Sequence, residues 1–202
     1  MPEQNPQKIQ EKVICFCNTT KVWGGGEKWH YDMAVLLHQR GYRILTITRM
    51  GSALQKKYLQ AGLDNVALNI SNFSLLNPLM KQKLVKLFLK HKVTTLFMNL
   101  PSDLKTAGPA AKRAGVKQIV YRRGSAIPVK NTPLNKHLYR NVVDLVLVNS
   151  EATKRTGLKN NPSLVEPDKI KVVYNGIDLE AFDKQQVQPE GYPAKAGLVI
   201  GN

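Results

Sequence analysis

Acidic side chains are scarce in the middle of this 202-residue chain. Between Asp64 and Asp144 the one carboxylate is Asp103, against fourteen basic residues: five lysines from Lys81 to Lys92, and nine Lys or Arg from Lys105 to Arg140. With a formal net charge of +16, that window makes a surface of one sign, which attracts phosphates, nucleic acid or anionic lipid head groups. Cysteine is nearly missing. Cys15 and Cys17 fall on the same face of an extended segment, close together but poorly placed for a disulfide, so both are expected to be buried free thiols. The histidines, His30, His38, His91 and His137, are scattered, so no metal site and no catalytic histidine is assigned. No run approaches the roughly 18 apolar residues of a membrane span. The N-terminus has no apolar core like that of a signal peptide, and a cytoplasmic protein is expected.

What the chain does have is alternation. After a polar tail over residues 1–12, Val13 to Cys17 reads as a strand ending in Asn18, Thr19 and Thr20, and a glycine loop leads into a helical pattern through Met33, Leu36 and Leu37. Strands follow at Arg43 to Thr48, Val66 to Ile70, Thr94 to Asn99, Gln118 to Tyr121, Leu145 to Val148 and Ile170 to Val173. Helices fill the gaps: a short one ending near Gly62, one from Pro78 to about His91 with Asn77 as N-cap, one from Leu104 to Ala114 closed by Gly115, one from about Leu134 to Val142, and one opening at Ser150. Apolar strands separated by helices imply an α/β, doubly wound, Rossmann-like and mostly parallel sheet with helices on both faces. Ligands of such sheets bind at the carboxyl ends of the strands, which gathers the polar strand ends on one rim. Residues 13–183 are expected to form this domain, 184–196 a Gln- and Pro-containing linker, and 197–202 the start of a truncated second domain.

Gly24, Gly25 and Gly26 let the backbone pass close to a ligand, with amides of a helix start directed at anionic oxygens. The dinucleotide fingerprint would need glycine where Trp29 stands and an acid where Arg49 and Met50 stand, and the phosphate loop of nucleotide hydrolases would need a hydroxyl after Lys28. Neither fits. Glu27 either touches a ligand or complements the helix dipole. At another strand end, Arg122 and Arg123 can grip a phosphate or carboxylate through forked hydrogen bonds, or one of them only pairs with Asp103 or another local acid. Ser150 suits an N-cap with Thr153 at the third position, and Asn175 with Gly176 a tight turn.

Three motifs together, Gly24 to Glu27, Val148 to Glu151, and Val173 to Asp178 with Phe182, resemble the first, acceptor-side domain of a family 4 (group 1) glycosyltransferase of the two-domain GT-B type. The resemblance implies a retaining, metal-independent enzyme that moves a sugar from a nucleotide-sugar donor to an acceptor. The absence of any Asp-x-Asp pair agrees with metal independence. It further implies that the donor site, with a paired-glutamate motif, lies in a second domain, that the leaving phosphate assists transfer, and that no cofactor is needed. Gly24, Gly25, Gly26 and Glu27 would lie against acceptor and donor phosphates, and Ser150 and Glu151 close to the interdomain cleft. Tyr121 to Ser125 departs from the family pattern, because many relatives carry histidine or aspartate there; the two arginines suit an anionic acceptor instead. Catalytic residues remain unassigned. The isolated piece is expected to fold yet have little or no activity.

Within the Pro78 helix, Lys83, Lys86 and Lys90 share a stripe flanked by Leu79 and Leu87, with Met80, Leu84, Val85 and Phe88 as the core face. That pattern suits either an ordinary solvated face or a helix resting on an anionic membrane, lysine stems snorkelling and leucines dipping into the head groups. Membrane docking would fit a lipid-linked or core-oligosaccharide acceptor in cell-surface glycan synthesis. A different class of function, a stand-alone basic module binding nucleic acid or anionic lipid, predicts steeply salt-dependent binding. The interleaved aromatics of single-strand platforms and any helix-turn-helix or zinc pattern are missing, which disfavours nucleic acid.

Overall fold

In the computed structural model, which describes residues 12–176 with Leu179 and Asp183, seven apolar segments pair into one parallel sheet of order β3-β2-β1-β4-β5-β6-β7. They are β1 (Val13–Asn18), β2 (Arg43–Thr48), β3 (Asp64–Ala67), β4 (Val93–Met98), β5 (Gln118–Arg123), β6 (Leu145–Val148) and β7 (Ile170–Val172). All six residues of central β1 are buried, as a strand covered on both faces must be. The chain winds outward from β1 through β2 to β3, then returns to lay β4 on the other side of β1 and continues to β7. That reversal puts a topological switch point at the carboxyl ends of β1 and β4. The doubly wound α/β expectation is met.

Helix α1 (Gly25–Gln39) and α2 (Ala53–Gln60) cover one face, where Ala34, Leu54 and Tyr58 pack on Ile14, Phe16 and Ile44. Helices α3 (Pro78–Lys90) and α4 (Pro101–Arg113) cover the other, where Leu84, Phe88, Leu104 and Ala107 meet Cys15, Cys17, Leu96 and Met98. Burying a side chain such as Leu84 or Phe88 contributes roughly 2 kcal/mol. Both cysteines are buried free thiols, and burial pushes both pKa values up, so neither is a nucleophile at neutral pH. Gly62 and Gly115, at φ +70° and +73°, end α2 and α4 in the left-handed conformation that glycine adopts without strain. Asn77 caps α3 by accepting from the Met80 amide at 3.0 Å.

Helix α4 begins at Pro101 and not Leu104, β5 runs on to Arg123 and not Tyr121, and two further elements differ more from the expectation. The third strand occupies Asp64–Ala67 and not Val66 to Ile70: its ladder begins as soon as the chain leaves Gly62, where Asn65 donates to the Thr46 and Thr48 hydroxyls. Leu68 and Ile70 are buried in the core past the end of β3, with the Leu68 amide still donating to the Thr48 carbonyl at 2.8 Å. The helix expected over Leu134 to Val142 is a short α5 (Pro133–His137) that widens into a π turn over Leu138–Val142, closed by the Val143 amide donating to Leu138 O at 2.9 Å. The wider turn buries Leu138, Tyr139 and Val142 together. Helix α6 (Glu151–Leu158) and two 3₁₀ turns (Asn72–Leu76 and Pro167–Lys169) complete the described part. The polar tail to residue 11, the linker, the 197–202 segment, and Ile177, Asp178 and Phe182 of the third motif lie outside the described residues.

Candidate functional site

At the switch point the strand ends of β1, β4, β5 and β6 and the start of α1 enclose a cavity of about 820 Å³. Gly25, Gly26 and Glu27 line it. Gly24 is the extended N-cap of α1, and no side chain caps that helix end. The fit is close at one of these glycines: a Cβ on Gly26 would stand 2.6 Å from Asn99 Nδ2 and displace that amide, whereas one on Gly25 would meet nothing within 4 Å. Glu27 is buried in the first turn and accepts from Asn18 Nδ2 at 3.1 Å, so it meets the helix dipole and the cavity at once.

Arg122 is the centre of the site. Only 4% exposed, its guanidinium lies over the Trp29 ring at 4.6 Å and donates to Asn99 Oδ1 at 3.3 Å and Asn175 Oδ1 at 3.4 Å. No carboxylate among the described residues stands within ion-pair distance of it. Burial lowers its pKa, an effect opposed by nearby Glu27, and arginine starts so high that it stays charged. Gly124 belongs to the same arrangement, because a Cβ there would reach 2.8 Å from Arg122 Nη1. Lys105, Arg123 and Lys130 also line the cavity, and among the described residues Glu27 is its one acid.

The two adjacent arginines do different jobs, since neighbours on a strand point to opposite faces. Arg123 donates to Tyr139 Oη at 3.3 Å and to the Ile127 carbonyl at 2.5 Å, which ties the loop after β5 to the π turn. Neither arginine pairs with Asp103. That carboxylate is fully buried in the first turn of α4 and accepts from the Thr19 amide at 3.0 Å and the Thr19 hydroxyl at 2.5 Å. Burial raises its pKa to about 7 against those hydrogen bonds. His30 beneath the site is also buried; burial and the charge of Arg122 lower its pKa to about 3, and it stays neutral.

Ser150 caps α6, accepting from the Thr153 amide at 3.1 Å. Ser150 and Glu151 are not among the cavity residues, whereas their neighbour Asn149 is, donating to the Gly124 carbonyl at 3.1 Å. On α3, Leu79, Lys83, Lys86 and Lys90 are exposed, but Leu87 is not a free surface residue: it is half-buried and packs against the core beside Leu84 and Phe88. Sequence reasoning took Asn99 only as a strand end, Asn175 as a turn residue and Trp29 as a missing glycine. Their position at strand ends or beside the glycine loop was the available signal; their convergence on Arg122 required the fold. Among the described residues no three His, Cys, Asp or Glu side chains come together as a metal site, and no helix is long and apolar enough to cross a membrane.

The architecture is shared with solved structures. The Anabaena protein HepE, solved in complex with UDP-glucose, is 20% identical with a TM-score of 0.66 over 83% of this chain and 45% of its own. A glycosyltransferase from Rickettsia africae is 19% identical with a TM-score of 0.72, over 89% of this chain and 47% of its own. The lipopolysaccharide outer core galactosyltransferase WaaB is 14% identical with a TM-score of 0.60, over 89% of this chain and 49% of its own. The chain therefore spans about half the length of these structures and has the fold of one of their halves. A search of curated proteins found no match. The model of Glycosyltransferase Family 4 matches residues 23–181, a span that holds both the glycine loop and Arg122, and the chain belongs to that family.

Proposed function

We propose that this chain is the acceptor-binding half of a retaining, metal-independent glycosyltransferase, and that its acceptor is an anionic glycolipid or core oligosaccharide at the cytoplasmic face of a membrane. The observation that carries the reading is Arg122: a buried guanidinium with no carboxylate partner among the described residues, opening on a cavity whose other charged residues, among those described, are Lys105, Arg123, Lys130 and Glu27. An unpaired buried cation is costly unless an anion completes it. A phosphate or carboxylate on the acceptor does so, with the free donors of Arg122 forming forked hydrogen bonds. The UDP-glucose in the HepE structure and the lipopolysaccharide core named for WaaB support a nucleotide-sugar donor and a glycolipid acceptor.

The donor would be held by the second domain, facing the cavity. In the transfer the bond from the anomeric carbon to the nucleotide phosphate breaks and a bond to an acceptor hydroxyl forms on the same face. The hydroxyl proton passes to an oxygen of the departing phosphate, so no metal or cofactor is consumed. Here Arg122 would orient the acceptor, and Gly25, Gly26 and Glu27 would border the path of the phosphates. Ser150 and Glu151 would act from α6 towards the cleft.

Calorimetric titration of the chain with a sugar and its 6-phosphate tests the anionic preference. The phosphorylated sugar should bind at least roughly tenfold more tightly, and Arg122→Gln should erase that difference. Equal affinities in the wild type would refute the reading. Transfer itself is measured after joining the chain to the second domain of a family member; turnover with no nucleotide sugar would count against it.

A further inference from the structure

The three most exposed large apolar side chains of the described residues lie within seven positions: Phe73 at 83%, Leu76 at 76% and Leu79 at 72%. Phe73 and Leu76 sit on a 3₁₀ turn (Asn72–Leu76), in which positions three apart eclipse one another, and Leu79 follows in the first turn of α3. The turn is not loose. Ser71 and Ser74 form a capping box with the Ser71 amide donating to Ser74 Oγ at 3.0 Å, Ser74 is buried, and Asn77 caps the next helix. The fold thus holds an apolar ridge out in water with no described residue covering it.

The surroundings of the ridge identify its partner. Lys83, Lys86 and Lys90 continue from Leu79 along the exposed stripe of α3, and no acid occurs between Asp64 and Asp103. A second copy of this face would set lysine against lysine, so self-association is disfavoured. An anionic bilayer offers both what the lysines and what the ridge require. Asn72, at the start of the turn, lines the Arg122 cavity, so whatever covers the ridge also lies at the cavity mouth.

We propose that Phe73, Leu76 and Leu79 form a wedge that inserts into the head-group layer of an anionic membrane, with Lys83, Lys86 and Lys90 on the lipid phosphates, so that the cavity opens at the bilayer surface. This rests on the reading of the acceptor as membrane-borne, and it assigns Phe73 and Leu76, outside the lysine helix, as the anchoring residues.

The test is partition of the chain onto vesicles of phosphatidylethanolamine with phosphatidylglycerol, by co-sedimentation at low and high salt. Phe73→Asp combined with Leu76→Asp should weaken binding roughly tenfold or more at both salt concentrations, because an apolar contribution is not screened. Reversing Lys83, Lys86 and Lys90 to Glu should weaken it on the order of a hundredfold at low salt, with most of the difference gone at high salt. Leu59→Asp, an exposed leucine on α2 across the sheet, should leave binding unchanged and controls for folding. Wild-type affinity in the Phe73/Leu76 variant would overturn the wedge, as would no vesicle binding by the wild type, or a wild-type dimer that this variant makes monomeric. None of these outcomes touches the preference for the phosphorylated sugar, which is measured without lipid and decides the acceptor reading separately.

Discussion

Replacing Asp103 by Asn should change how the stability of this domain depends on pH. The carboxyl is fully buried in the first turn of α4 and receives two hydrogen bonds from Thr19, with no cation among the described residues paired to it. Its pKa rises from 3.8 to about 7, with desolvation as the cause and the Thr19 bonds opposing it. The folded state therefore holds a proton that the unfolded state has released between those two values, and stability falls as pH rises through that window. About three pH units at 1.36 kcal/mol each set an upper bound of roughly 4 kcal/mol on the loss. Asn keeps an oxygen for the Thr19 amide and carries no charge, so this contribution disappears. Urea unfolding at pH 4, 5.5, 7 and 8 should show Asp103→Asn gaining on the wild type through the window, by up to about that amount, and levelling off above it. The neighbouring Cys17 and Tyr121 do not complicate the window, since burial raises both further from neutral pH. Parallel curves, or a wild type that gains on the variant as pH rises, would show that the carboxylate is stabilised as an anion, and the reasoning would fail.

Gly124→Ala should reduce affinity for a phosphorylated sugar about tenfold or more with a stability cost of about 1–3 kcal/mol, because its Cβ intrudes on Arg122; titration calorimetry with parallel unfolding curves checks both. Gly26→Ala should spare the melting temperature, since the Asn99 amide can swing away, yet weaken the same ligand by taking Oδ1 from Arg122. Ser150→Ala should cost about 1 kcal/mol in urea unfolding through loss of the α6 cap. Leu84→Ala should cost about 2–5 kcal/mol by opening a cavity in the core under α3.

The order of strands and helices was legible because each strand is a short apolar run bounded by glycine, asparagine or proline, and such punctuation fixes element type better than element ends. It failed at Val66 to Ile70 because an apolar run does not reveal where its strand ends; Leu68 and Ile70 fill the core past the last residue of β3. It failed at Leu138 because an extra residue per turn leaves no mark in helical spacing. In the site, position at the strand ends pointed to the glycine loop and to Arg122. The alternation of β5 that separates Arg122 from Arg123 follows from strand geometry, and applying it would have distinguished the two. The role of Asn175 could not be reached that way, because its contact with Arg122 spans 53 positions.

That long contact bears on why an arginine stands at this strand end. A histidine would offer one donor or acceptor on each side of its ring, whereas the guanidinium directs donors in several directions in one plane. Here two of them meet amide oxygens, one just past β4, the strand beside β1, and one just past β7. Both bonds are long, at 3.3 and 3.4 Å, and both acceptors are neutral, so a phosphate oxygen would displace either at little cost. The aromatic face of Trp29 keeps the cation in place meanwhile, at 4.6 Å and shielded from water. Arg122 is thus positioned by weak, replaceable partners, which is the arrangement an anion-binding group requires and a structural ion pair does not.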